Sequence, residues 1–263
     1  MRDSKEICGS VGNSELFVSI PSCEMAEMVC RARTLEFASG DVIHSADDPI
    51  KQVLLLMDGR IKQSQFSESG QEVVLRLGVP GEMISEPTLL SKRKHSSAVV
   101  TLQHCKVLAW ETANFNAMIE RSPRLLKNVE LILRSRLEEV TQRYWEVSTK
   151  TASPRLAVAL TYLADRIGKR VGDHIELGLS QETLGQMSGM TLNSVWRLLS
   201  IWKAQGVVKL RRGTIEIHNL PHLLNCAELA DPSAPNADVG DEAIASGTVI
   251  VGVDAAASQP TGD

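Results

Sequence analysis

No run of 18 apolar residues occurs in this 263-residue chain. A helix needs roughly 20 to cross a bilayer, so no membrane span is expected. The opening MRDSKEICGSVGNSELF lacks the basic region and apolar block of a secretory signal. Cysteine is sparse and unpaired in pattern: Cys8, Cys23, Cys30, Cys105 and Cys226 are odd in number and contain no CxxC. Reduced thiols in a cytoplasm are the expectation. Aromatic residues are few, with four Trp, two Tyr and four Phe. GxSxG, HExxH and a phosphate-cradling glycine loop are all missing, and the scattered acids form no recognisable catalytic set, so enzyme chemistry is not expected. The six histidines show no metal-binding spacing, and no metal site is expected. Lys and Arg are absent from residue 226 onward, where seven acids gather. Without those acids the net charge of −4 becomes +3, so the overall acidity does not exclude a nucleic-acid partner.

What the chain does contain falls into blocks. Residues 1–30 form a weakly patterned arm, with Met25, Met28 and Val29 placed for a short helix. From 31 to 122 the texture is short apolar runs (VLLLMDGRIKQSQF, QEVVLRLG, EMIS, SAVVTLQHCKVLAW) broken near Gly40, Gly59, Gly70 and Gly81. These read as strands of a compact antiparallel barrel or roll. A long helix over 123–150 follows, opened by Pro123. Leu126, Val129, Leu133, Leu137, Val140, Tyr144 and Val147 step along it close to a heptad seam, on a helix otherwise largely polar. A seam facing an identical partner is the expectation. The chain restarts at SPRLAVALTYLADRIG, with Ser153 able to cap, Pro154 suited to the first helical position and Gly168 able to close the helix. This break starts a second domain over 151–225. The acidic stretch 226–263, rich in Ala, Gly, Pro and Asp, is expected to be disordered.

Within the second domain, LSQETLGQMSGMTLNSVWRLLSIW places two apolar helical stretches either side of Gly189. Gly185 is small enough to let two helices cross closely. Leu184 and Met187 face Val195, Leu198, Leu199 and Trp202, the spacing of a helix-turn-helix. Thr191 caps the second helix, whose outward side carries Leu192, Asn193, Trp196, Arg197 and Ser200. GVVKLRRGTIEI then alternates, turns at Arg212-Gly213 and alternates again, as a two-stranded basic wing would.

This order of roll, long helix and winged helix resembles the Crp/Fnr (cyclic-AMP receptor / fumarate–nitrate reduction regulator) family over about residues 35–224. The resemblance implies an α+β fold: an antiparallel β-roll like that of cyclic-nucleotide-binding domains, a dimerisation helix and a winged helix-turn-helix. It also implies a homodimeric cytoplasmic transcription factor whose partners are near-palindromic DNA, RNA polymerase and a small effector. Base readers would be Leu192, Asn193, Trp196 and Arg197. Ser180, Gln181, Thr191, Ser200, Lys209, Arg211 and Arg212 would touch phosphates. The implied effector pocket comprises Ser85, Glu86, His95, Ser96, Ser97, Val140 and Thr141. Glu86 stands where relatives bind ribose, with Ser85 replacing the preceding glycine. Ser96, or His95, occupies the place of the arginine that binds a cyclic phosphate, and loss of that fork argues against ordinary cyclic-AMP control. Cys8, Cys23, Cys30 and Cys105 are too loosely spaced for the family's iron–sulfur cluster. An exposed Trp196 keeps a second reading open: a small-molecule or redox sensor whose DNA contact has degenerated.

Overall fold

The computed structural model describes residues 11–12, 14–85 and 94–228. Glu86 and Cys8 lie outside the described residues, as does the stretch 226–263 expected to be disordered, apart from 226–228, which end a helix. A 3-10 turn at Glu15–Phe17 and helix α1 (Ser22–Cys30) precede the roll. Among the described residues seven strands build it: β1 (Arg33–Phe37), β2 (Val42–His44), β3 (Gln52–Asp58), β4 (Ile61–Phe66), β5 (Glu72–Gly78), β6 (Ala98–Thr101) and β7 (Cys105–Glu111). They form two antiparallel sheets, β1-β7-β3 and β2-β6-β4-β5. EMIS, expected as a strand, contributes only an isolated bridge from Met83 to Leu55. Ser85, at its end, instead clasps β3: its Oγ accepts from Leu54 N at 2.8 Å and donates to Gln52 O at 3.1 Å.

The continuous apolar run of β3 is explained by burial on both faces. Leu54 and Leu56 enter the core between the sheets with Val99, Val107 and Ala109. Val53 and Leu55 face the helices, beside Leu108 and Trp110. Trp110 is fully buried and donates its indole N–H to Met28 O at 2.8 Å, with Phe17 and Phe115 packed on its ring. The scarce aromatics thus fasten the N-terminal segment and α2 (Thr112–Arg121) to the roll.

Ser122 caps α3 (Pro123–Thr149), with Pro123 in its first turn. Leu125, Val129 and Ile132 sink into the roll's own core. Val129, expected on a partner-facing seam, is 1% exposed and already committed within the chain. Leu133 is partly buried in the same cluster. From Leu137 onward the row is uncovered: Leu137, Val140 and Tyr144 are 68%, 57% and 75% exposed.

Helix α4 (Ala152–Ile167) starts after Thr151, which makes no side-chain capping hydrogen bond, rather than after Ser153, so the helix begins before Pro154 instead of at it. A hairpin follows, β8 (Lys169–Val171) and β9 (His174–Leu177), then α5 (Gln181–Ser188), α6 (Leu192–Ala204), β10 (Val208–Arg211), β11 (Thr214–Ile217) and α7 (Leu220–Glu228). The wing is therefore half of a four-stranded sheet, β10-β11-β9-β8. The core under it joins Leu156, Leu160, Leu163, Leu184, Val195, Leu199, Trp202 and Ile215, and extends to Val74 and Leu77 of β5.

Candidate nucleic-acid interface

The two helices of the reading head are set by their ends. Ser180 Oγ accepts from Thr183 N at 3.0 Å to start α5. Gly189 ends it in the left-handed region at φ 62°, where a side chain would be strained. A Cβ on Gly185 would stand 2.9 Å from Met190 O and 3.4 Å from Val195 Cγ2, so the close approach of turn and second helix requires glycine. Thr191 Oγ1 accepts from Ser194 N at 3.3 Å and starts α6.

From that start, helical phase divides α6. Val195, Leu198, Leu199 and Trp202 are buried. Leu192, Asn193, Trp196 and Arg197 are all exposed, Trp196 by 61%. All four expected base-facing residues thus share one solvent face, with half-buried Ser200 a turn further on. Ile201, 47% exposed, widens the apolar part of the helix beyond Leu192 and Trp196. A helix presenting two polar side chains and an indole, with nothing among the described residues covering them, suits insertion into a major groove.

The wing supplies charge. Its tip turns at Arg212-Gly213, with Gly213 at φ 71°. Lys209, Arg211 and Arg212 are exposed, but Arg211 pairs with Glu216 and Lys209 Nζ lies 4.0 Å from the same carboxylate. Burial works to raise the Glu216 carboxyl, yet the His218 hydrogen bond and the Arg211 and Lys209 charges outweigh it and hold it below the usual glutamate range. Arg212, at the tip, is exposed. Ser180 and Thr191, expected on phosphates, serve as helix caps, which places their hydroxyls at helix N-termini beside exposed amides.

The roll side is less as expected. A cleft of about 110 Å³ between β5 and α3 is lined by Gln63, Leu75, Arg76, Ser96, Arg136, Glu139, Val140 and Arg143. Of the expected pocket residues it brings in Ser96 and Val140. Ser97 lies just behind, its Oγ accepting from Gln63 Nε2 at 2.7 Å. Ser85 is 1% exposed and spent on β3. His95 belongs elsewhere: it stacks on His44 at 3.5 Å, on the wall of a separate cleft with Asp48, Pro49 and Lys51. Thr141 is exposed and donates to Leu137 O at 2.8 Å, back along its own helix, so it does not line the cleft. Three arginines that carry no motif signal, Arg76, Arg136 and Arg143, line it instead. Each already donates to the protein: Arg76 to Gln63 Oε1 and Met83 O, Arg136 to Met83 O, Arg143 to Leu75 O.

Below the cleft a charge network joins the two halves of the chain. Glu82 takes Arg76 at 3.3 Å on one oxygen and Arg166 of α4 on the other. Arg166 also reaches Leu77 O at 3.1 Å and Glu139 at 3.8 Å. Arg60 donates to Ile167 O at 3.0 Å, and Gln186 of α5 donates to Glu72 at 3.0 Å. The reading head is held against the roll by carboxylates of the roll itself.

Among the described residues no helix is long and apolar enough to cross a membrane. Residues 34–122 match the model of the cyclic nucleotide-binding domain, and 154–226 that of the Crp-like helix-turn-helix domain. The chain is 28% identical over 181 residues to the cyclic AMP receptor protein of Thermus thermophilus, covering 69% of this chain and 82% of that one. It is 24% identical to the transcriptional regulatory protein btr of Bordetella pertussis, covering 70% and 76%. The solved structure of FixK2 from Bradyrhizobium japonicum superposes with a TM-score of 0.67 at 20% identity, over 76% of this chain and 98% of that one. With a roll, a long helix and a winged reading head in this order, and with both domain models matched, the chain belongs to the Crp/Fnr family of transcriptional regulators.

Proposed function

We propose that the protein is a homodimeric, sequence-specific DNA-binding regulator that does not take cyclic AMP as its ordinary effector. The observation that carries the reading is the outward face of α6, where Leu192, Asn193, Trp196 and Arg197 stand exposed together on a helix rigidly set by Thr191, Gly185 and Gly189. Arg197 reads guanine O6/N7, Asn193 adenine N6/N7, and Leu192 offers an apolar contact to a thymine methyl. Ser180, Gln181, Thr191, Ser200, Lys209, Arg211 and Arg212 position the head on phosphates, Arg211 leaving Glu216 to do so. The uncovered row from Leu137 to Val147 joins two copies, so the operator is near-palindromic with half-sites about one helical turn apart. RNA polymerase and a small effector are the further partners, in the cytoplasm.

The roll supports the second half of the proposal. Ser96 lines the cleft where relatives would present an arginine, and the arginines that are present are engaged by carbonyls and by Gln63. Calorimetry with cyclic AMP should show no binding at micromolar concentration; a micromolar complex would overturn this part. For the whole reading, selection from a random duplex pool should recover one near-palindromic sequence. Recovery without sequence enrichment would favour a sensor whose reading head has degenerated, the alternative that the exposed Trp196 indole keeps open.

A further inference from the structure

Strand β9 reads His174-Ile175-Glu176, and β11 with the residue after it reads Glu216-Ile217-His218. Alternate residues of a strand share a face. The antiparallel register sets Ile217 opposite Ile175 and Glu216 opposite Glu176, so His218 falls beside His174. The two isoleucines turn into the winged-helix core. On the other face lie two imidazoles and two carboxylates in a square, the rings stacked at 4.8 Å. Like charges directly opposed across a ladder repel, so Glu176 facing Glu216 favours a cation nearby, a need that Lys209 and Arg211 meet in part at Glu216.

Two pairs of donor atoms have the spacing of neighbouring ligands in a coordination shell. His174 Nε2 lies 3.5 Å from Glu176 Oε1, and His218 Nε2 lies 3.2 Å from Glu216 Oε2. Nitrogen and oxygen ligands about 2.0–2.1 Å from a tetrahedral ion stand roughly 3.3–3.4 Å from one another. Donor atoms of His174, Glu176 and Glu216 all fall within 4.8 Å of one another. Two further observations point inward. His174 Nε2 is buried and makes no hydrogen bond among the described residues, and the Glu216 side chain is only 1% exposed. Asp173 Oδ1 stands 3.3 Å from His174 Nδ1. With Nδ1–H donated to Asp173, Nε2 keeps its lone pair toward the square, the arrangement that orients a metal-bound imidazole.

We propose that His174, Glu176 and Glu216 bind one divalent transition-metal ion of the zinc class, with His218 outside the triad as the hydrogen-bond partner of Glu216. Mixed imidazole and carboxylate donors suit zinc, nickel or cobalt, whereas calcium and magnesium take all-oxygen shells. Ionised Glu216 has lone pairs beyond those that face Arg211 and His218, which leaves one for the ion. The ion ties β9 to β11 at the base of the wing and holds Glu216 in place.

The test uses the full chain without an affinity tag, kept reduced and stripped with a chelator. Zinc is titrated by calorimetry, and cobalt by absorption. The site predicts one equivalent per chain at micromolar concentration or tighter, a cobalt spectrum without thiolate charge transfer for that equivalent, and a rise in unfolding temperature with zinc. Magnesium should leave the unfolding temperature unchanged. His174→Gln with His218→Gln should abolish that equivalent and the temperature rise; Glu176→Gln, on a half-buried carboxylate, should weaken it tenfold or more and serves if the double variant does not fold. Equal zinc binding by parent and folded variant, a thiolate spectrum for the only equivalent, or binding only at millimolar concentration would each overturn the proposal, leaving two imidazole–carboxylate hydrogen bonds.

Discussion

Replacing Leu137 and Val140 with glutamate should separate the dimer while leaving each chain folded. The two side chains are 68% and 57% exposed, so they contribute little to the monomer. Full burial of a leucine or valine stabilises by about 1.5–3 kcal/mol. Scaled by the exposure that pairing would remove, the double substitution forfeits about 2.5 kcal/mol per chain and about 5 kcal/mol per dimer. At about 1.4 kcal/mol per decade, self-association weakens more than a thousandfold before any repulsion is counted. The new acids would lie among Glu138, Glu139 and Glu146 of the same helix, which adds to the loss. Sedimentation at micromolar concentration should show the parent as a dimer and the variant as a monomer, with unfolding temperatures close together. Leu131→Glu is the control, because Leu131 is 52% exposed on the opposite side of α3. A variant that still sediments as a dimer, or a control that dissociates equally, would refute the seam.

Two other outcomes follow from buried charge. Glu82→Gln breaks the pairing of Arg76 and Arg166, whose side chains are 9% and 17% exposed, and should destabilise the fold by about 3 kcal/mol in denaturant unfolding; an unchanged midpoint would show the network contributes nothing. Burial, aided by the charge of His95, lowers the His44 pKa to about 4. An unfolded imidazole protonates near 6.5, so stability present above pH 6.5 is lost as pH falls toward 4, by about 3 kcal/mol at most. His44→Leu should flatten that part of the pH profile relative to the parent; a parallel profile would mean His44 takes its proton normally in the folded state.

The reading head was legible because its signals are local. Gly189 at a positive φ, Gly185 under the crossing, and the step from Val195 to Trp202 all lie within one short stretch and act through backbone sterics and helical phase. The roll's glycine-punctuated strands were legible for the same reason. The hairpin of β8 and β9 was not: KRVGDHIEL is short and polar, and its strands exist because β11 offers them a sheet edge. The first turns of α3 misled because a heptad row looks alike whether it packs on a partner or on its own roll; Val129 chose the roll. EMIS has a strand's composition but only one bridging residue. His95 was misplaced, and Arg76, Arg136 and Arg143 went unnoticed, because a cleft between a sheet and a distant helix is a property of tertiary packing. The pairing of His174 with His218 likewise appears only across a strand register.

The most direct measurement compares the parent chain with Arg197→Ala on the selected duplex and on a scrambled duplex of equal length, over a range of salt. The account predicts a loss of about 1–3 kcal/mol on the selected sequence, relaxed preference at one base pair per half-site, and little change on the scrambled one. An equal loss on both duplexes would make Arg197 a backbone clamp and would contradict base reading by the outward face of α6.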